Sequence, residues 1–282
     1  GTAISSILSA GFRTMSDSLF ALADRVTLVS GGSRGIGRAL AGAFAERDAK
    51  VVIAGRHEET LAATARELPT SKHPVTYSVC DVAKSDDVDA LARQMEDRHG
   101  RVDVLLNVAG VNQRKRIENF SEAEYDQILD INLKGSFLLA QRVGKTMIAQ
   151  KSGAIVNIDS LNTYAPLKGV VPYAMSKAGV SMMTRGMAME WGEHGVRVNA
   201  IAPGFILTDL NRKLWSLPTM QNWGHANTPL GRLGGVDDLV GAAVFLATDA
   251  SRFMTGQVLY VDGGISAGIL WPIDLENPPP TK

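Results

Sequence analysis

The sequence predicts an α/β fold: one doubly wound parallel sheet of about seven strands, with helices on both faces. Three features predict it. Short apolar, β-branched runs alternate with longer helical patterns along the chain. The runs are mostly apolar throughout, as strands covered on both faces are. A glycine-rich turn joins the first run directly to the first helical pattern. Strict alternation with right-handed crossovers gives a parallel sheet.

The first strand is Val26–Ser30 (VTLVS), and the helix Ile36–Asp48 follows the glycine turn. Strand Lys50–Ala54 leads to helix Glu58–Leu68, and strand Val75–Cys80 to helix Asp86–His99. Strand Asp103–Asn107 precedes the longest helical stretch, Ser121–Gln150. Strand Ala154–Ile158 precedes helix Tyr173–His194, and Arg197–Ile201 is the sixth strand. Helix Val236–Thr248 and strand Val258–Val261 close the series. The longest irregular stretch, Gly204–Gly235, holds Trp215, Trp223 and His225. Loops this long inside compact domains are usually lids or binding loops, so a substrate lid is expected. The alternative is a peripheral helical insertion with its tryptophans packed inward. Residues 15–270 read as one domain, without repeats or low-complexity linkers.

Composition excludes several classes. The 282 residues are 45% hydrophobic and 21% charged, and 29 basic residues balance 29 acidic ones. No Lys/Arg block marks a nucleic-acid partner. No apolar run approaches the roughly 18 residues of a membrane span. The single cysteine, Cys80, lies in the apolar run YSVC and reads as a buried core thiol in a reduced, cytoplasmic setting. Residues 1–14 precede Met15 and read as a cloning remnant in preference to a transit-like leader. Residues 271–282 are proline-rich and read as an extended arm. No His, Cys and carboxylate cluster has metal-site spacing.

The turn SGGSRGIG, residues 30–37, sits between a strand and a helix. That context suits a phosphate. One glycine permits the tight turn, a later one lets the backbone approach a pyrophosphate, and Gly37 lets the helix pack closely. Helix-start amides then point at the anion.

The spacing Gly-x-x-x-Gly-x-Gly resembles the short-chain dehydrogenase/reductase family, whose signature places a small hydroxyl residue, here Ser30, before it. The resemblance runs from about Asp24 to Gly264. NVAG (107–110) resembles the family's Asn-Asn-Ala-Gly, with Val108 replacing the second Asn. Asn132 lies in INLKG, Ser160 follows the fifth strand, Tyr173 to Lys177 matches Tyr-x-x-x-Lys, and Pro203-Gly204 precedes Thr208. The resemblance implies a Rossmann fold and cofactor contacts at Gly31, Ser33, Arg34, Gly35, Ile36, Gly37, Asp81, Val82, Asn107, Ala109 and Gly110. It adds Tyr173, Lys177, Pro203, Gly204, Ile206 and Thr208. Asp81 reads equally as the N-cap of the next helix.

The second strand ends Ala54-Gly55-Arg56, with no carboxylate before Glu58 to bind an NAD ribose. A guanidinium holds a 2′-phosphate by charge-assisted hydrogen bonds. Arg56 and Arg34 are the pair that the resemblance associates with NADP(H) in preference to NAD(H).

Tyr173 and Lys177 are four apart on one helix face. An adjacent ammonium is expected to draw the phenol's pKa down from about 10 toward the working range. By resemblance, Lys177 also holds the nicotinamide ribose, Ser160 donates to a substrate carbonyl, and Asn132 binds a water beside the lysine. Turn serine and buried structural amide are the plain alternatives for Ser160 and Asn132. The implied reaction is hydride transfer between nicotinamide and a carbonyl carbon, with Tyr173 moving the oxygen's proton.

The resemblance implies a small carbonyl or alcohol substrate. Arg114, Lys115 and Arg116, with TPLGRLGG and VLYVDGGI, look most like the gluconate 5-dehydrogenase branch. Cations at a cleft rim attract a sugar carboxylate, unless they form only a solvated basic loop. Alternatives are a 3-oxoacyl-carrier-protein reductase, a cyclic-ketone reductase favoured by Trp215 and Trp223, and a non-catalytic dinucleotide sensor. The resemblance also implies a homotetramer or homodimer, for which the face around Met182, Met183, Met187 and Met189 is one candidate surface.

Overall fold

The computed structural model describes residues 18–69, 71–273 and 276. The readings of residues 1–14 and of most of the 271–282 arm fall outside them. Seven parallel strands form one sheet in the order β3-β2-β1-β4-β5-β6-β7. They are β1 (Val26–Ser30), β2 (Lys50–Gly55), β3 (Thr76–Val79), β4 (Val104–Asn107), β5 (Gly153–Ile158), β6 (Val196–Pro203) and β7 (Val258–Val261). Each expected strand is present, within two residues at either end.

The alternation of side chains along the strands feeds two apolar layers. Val29, Val51 and Ile53 join Leu40 and Phe44 of α1 (Gly35–Ala45), Leu61 of α2 (Glu58–Glu67) and Leu246. Leu28, Val52 and Ala54 face the other way, onto Leu91 and Met95 of α3 (Ser85–His99) and Leu139 and Val143. Cys80 lies in this second layer, and burial pushes its thiol up to about 12, as a core residue.

The stretch 121–150 is not one helix. It runs as α4 (Glu122–Leu129), a π-helical turn (Asp130–Lys134) and α5 (Gly135–Gln150). Ser121 starts α4 with a reciprocal capping box: its hydroxyl accepts the Glu124 N–H, and the Glu124 carboxylate accepts the Ser121 N–H. Gly135 follows the π turn, where a Cβ would stand 2.7 Å from the Val82 carbonyl oxygen. Such π turns re-aim side chains and cluster at functional sites. The one here carries Asn132.

Helix α6 (Val171–Trp191) begins with Pro172 in its first turn, where the missing N–H costs nothing. The segment 204–235 is not an irregular loop. It contains α7 (Arg212–Trp215) and α8 (Pro218–Asn227). Trp215 is buried and Trp223 partly exposed, with their rings 5.2 and 5.1 Å from that of Phe205. Leu161, just after β5, joins the same small cluster, so the helical insertion packs beside the end of that strand. The last helix, α9 (Val240–Ala247), follows a short 3₁₀ turn over Val236–Leu239.

Candidate active site

The sheet order reverses between β1 and β4, and the crevice beyond the carboxyl ends there is where open α/β sheets take ligands. Ser30 and Asn107 are register partners at that point. The Ser30 hydroxyl donates to Asn107 Oδ1 at 3.2 Å and accepts the N–H groups of Val108 and Ala109 at 3.0 and 3.2 Å. Asn107 Nδ2 donates to the Ser136 carbonyl and to Asn157 Oδ1, and Asn157 Nδ2 donates to Thr184 Oγ1. One buried chain of polar groups thus ties β1, β4, β5 and α6 together. The Asn107 side chain is bonded within it, so Asn107 shapes the turn from behind. The backbone of Ala109 lies against Gly31, and Gly110 lies beside Asn132 and Lys177.

The glycine turn fits a pyrophosphate. Gly31 turns the chain at φ +68°, and a Cβ on it would lie 2.9 Å from the Ala109 Cα. A Cβ on Gly37 would lie 2.2 Å from the Gly31 carbonyl oxygen, so α1 packs onto the turn only through glycine. The Ser33 carbonyl accepts the Thr64 hydroxyl, and Ile36 packs against the core. Gly35, at φ +52°, faces Thr208 across the crevice. No side chain caps α1 and no acid occupies its first turn, so its leading amides stay open to an anion.

Arg34 and Arg56 are both exposed, and neither guanidinium has a hydrogen bond or ion pair among the described residues. Asp81 is not a helix N-cap: α3 begins at Ser85 with Lys84 in the cap position. Its carboxylate accepts the Ala83 N–H, while its own N–H donates to Asp87. Val82 is buried against Gly135, the first residue of α5. On the far side, Gly204 closes on Asp262, where a Cβ would lie 2.6 Å from the Asp262 Cα, and the Ile206 strand bridge pins the segment to Gly234. Thr208 N–H donates to Asn211 Oδ1.

Ser160, Tyr173 and Lys177 converge. Lys177 is buried, and its ammonium donates to the Ile158 carbonyl at 2.6 Å, 5.7 Å from the Tyr173 ring centre. Burial pushes it down to about 8, against the pull of Asp159. The Tyr173 phenol is pushed up, chiefly by burial; a hydrogen bond from Ser160 opposes this, Asp159 reinforces it, and Arg114 opposes it. The expected lowering by Lys177 is therefore not the balance in the protein itself. The ammonium is held over the ring and on a strand carbonyl, and the stabilising contact at the phenol oxygen is Ser160.

Asn132 is wholly buried. Its Oδ1 accepts the Val111 N–H, and both its amide hydrogens are used, on the Val111 carbonyl and on Ser176 Oγ. Each polar atom of the side chain is thus bonded within the protein. A Cβ on Gly110 would lie 3.3 Å from Asn132 Oδ1 and 3.8 Å from Lys177 Nζ, so the two flank the same point of the crevice.

Of the three adjacent cations, Lys115 pairs with Glu124 and Arg116 with Glu118, whereas Arg114 has no bonded partner among the described residues. Only Arg114 acts on the Tyr173 phenol.

Two residues beside Ser160 escape a reading of the motifs. Asp159 is buried at 1% exposure with Oδ1 on the Thr163 hydroxyl, Oδ2 lacks a partner among the described residues, and burial raises its carboxyl to about 6. A carboxylate straight after the apolar strand AIVNI was the signal available for it. Asn162 bonds Ser160 through a 3₁₀ turn, for which no sequence pattern gave warning.

Fold and crevice together define a nicotinamide-dependent oxidoreductase. Residues 31–266 match the family model described as enoyl-(acyl carrier protein) reductase, and the chain belongs to the short-chain dehydrogenase/reductase family. It is 38% identical over 251 residues to gluconate 5-dehydrogenase of Gluconobacter oxydans, covering 89% of this chain and 98% of that protein. It is 39% identical over 248 residues to D-threitol dehydrogenase of Mycolicibacterium smegmatis, covering 87% and 94%. The crystal structure of a gluconate 5-dehydrogenase from Burkholderia cenocepacia, in complex with NADP and tartrate, superposes with TM-score 0.86 at 39% identity, covering 89% of this chain and 99% of that one.

Proposed function

We propose that this protein interconverts a secondary alcohol and a ketone on a sugar, sugar acid or polyol, with NADP(H) preferred over NAD(H). The observation that carries the reading is the meeting of Ser160, Tyr173 and Lys177 beside Arg114, which has no bonded partner among the described residues. The names of the relatives support the substrate class.

A bound nicotinamide dinucleotide would supply the hydride on reduction and receive it on oxidation. The remaining work belongs to side chains. Ser160 donates to the substrate oxygen and keeps the reacting carbon in place. Tyr173 gives that oxygen a proton on reduction and takes it on oxidation. Since burial holds the phenol protonated, the free protein is set to act as an acid. Lys177 presents its buried ammonium next to the phenol and to the ribose site. Arg114 gives a carboxylated or hydroxylated substrate a charged partner at the rim. Arg34 and Arg56, whose guanidinium groups have no partner among the described residues, supply two cations for a 2′-phosphate, and no carboxylate at the end of β2 opposes them.

Self-association belongs to the same proposal. Met187 is buried in the core, but Met175, Met182 and Met189 of α6 and Phe137 of α5 are exposed and suit a helix-to-helix interface. Light scattering that finds only monomer removes this part. Initial rates with NADPH and NADH against 5-ketogluconate, cyclic ketones and β-ketoacyl thioesters test the main reading. NADPH-dependent turnover of 5-ketogluconate above the others is expected; preference for a thioester or a cyclic ketone overturns the substrate class.

A further inference from the structure

The direction of the Ser160 proton is set by its neighbours. A hydroxyl offers two acceptor lone pairs and one donor hydrogen. The backbone N–H of Asn162 donates to Ser160 Oγ at 3.2 Å, and the Asn162 side-chain amide donates to the same oxygen at 3.1 Å. Both lone pairs are engaged, so donation is the capacity that remains. The Asn162 side chain cannot turn its oxygen toward Ser160 without loss, because that oxygen accepts the Leu167 N–H at 2.9 Å. Asn162 is itself buried, so the bond left unmade would not be replaced by bulk water. The nearby carboxylate does not compete for the serine proton through its bonded oxygen, which takes the Thr163 hydroxyl.

We propose that Asn162 is a positioning residue that makes Ser160 an obligate hydrogen-bond donor to the substrate oxygen. The proposal rests on the reading of Ser160 as that donor. It explains how one serine both caps the 3₁₀ turn Leu161–Thr163 and serves the reaction: the cap uses its lone pairs and leaves its hydrogen. In the free protein that hydrogen serves the Tyr173 phenol, and with both lone pairs engaged it is what Ser160 has to offer a substrate oxygen.

The test is a double-mutant cycle of Ser160→Ala with Asn162→Asp, at about pH 8, where an ordinary carboxyl is ionised. The aspartate keeps the shape and the bond from Leu167 but accepts where the amide donated, so it draws the serine proton inward. In the wild-type background, kcat is expected to fall about 100-fold, the scale of losing one oxyanion donor, with KM for NADPH unchanged. In the Ser160→Ala background the same change is expected to do nothing further. An unchanged kcat for N162D, or a loss that multiplies with that of S160A, overturns the proposal. Full turnover by S160A alone overturns instead the reading of Ser160 on which it stands. Should N162D fail to bind NADPH, Asn162→Ala replaces it in the same cycle. Removing one of the two donors then lowers kcat only when Ser160 is present, and an equal loss without Ser160 counts against the proposal.

Discussion

The Lys177 ammonium is anchored on the Ile158 carbonyl at 2.6 Å, the last residue of β5, and the next residue is the buried Asp159. A cation and a carboxyl group therefore sit at one strand end, neither open to bulk water. Each is displaced toward neutrality by burial, the lysine down to about 8 and the aspartate up to about 6, and each is partly held ionised by the other.

Asp159→Asn therefore moves the alkaline limb of the activity profile. Without the carboxylate, burial acts on Lys177 with less opposition, and its ammonium deprotonates at lower pH. The kcat/KM profile is expected to lose activity earlier on the alkaline side than wild type. An unmoved limb contradicts the coupling.

The same substitution changes the pH dependence of stability. Asp159 binds its proton more tightly in the folded protein (about 6) than unfolded (3.8). Folded molecules therefore keep a proton that unfolded ones lose, and stability falls as pH rises from about 4 to about 6. By linkage the loss amounts to at most about 3 kcal/mol, since one pKa unit is about 1.4 kcal/mol. D159N is expected to flatten that part of the melting-temperature profile, measured by calorimetry. A profile as steep as wild type would show that another group titrates there.

Arg56→Asp puts a carboxylate where the 2′-phosphate is proposed to lie. A hydrogen bond to a charged group is worth about 1.5–3 kcal/mol, so kcat/KM for NADPH is expected to fall about 10- to 100-fold while that for NADH holds or rises. Parallel loss with both cofactors would indicate damage to the crevice and no role in selection.

Asn107→Ala removes the centre of the polar chain from Ser30 to Thr184. It leaves Asn157 Oδ1 and the Ser136 carbonyl without their donor in a dry interior. A loss of about 2–4 kcal/mol is expected in denaturant unfolding, since such networks cost more to break than one bond suggests. A change under about 0.5 kcal/mol, the size of an ordinary surface substitution, contradicts that role.

The strands were legible because parallel sheets bury whole apolar runs, and β1, β4 and β5 are such runs. The glycine turn was legible because Gly31 and Gly37 answer to steric needs that no other residue meets. The break in 121–150 was not, because a π turn has no residue signature in the sequence. The helices of 204–235 answer to the helical-insertion alternative, with Pro218 starting α8. In the site, Ser160, Tyr173 and Lys177 were readable from spacing and resemblance. The charges around them were not: that burial of Tyr173 outweighs any help from Lys177, and that Arg114 alone of three cations acts on it, depends on tertiary placement. Asn107 was read as a cofactor contact and Asn132 as the residue that binds a water beside the lysine; the internal bonds that each side chain makes could not be read from the sequence.

The central claim is that Tyr173 carries the proton of the reacting oxygen. Steady-state turnover of Tyr173→Phe with NADPH and 5-ketogluconate, alongside NADPH binding by fluorescence, tests it most directly. Loss of turnover with cofactor binding retained is the outcome this account predicts. Turnover close to wild type in a variant that has no hydroxyl at 173 would contradict it.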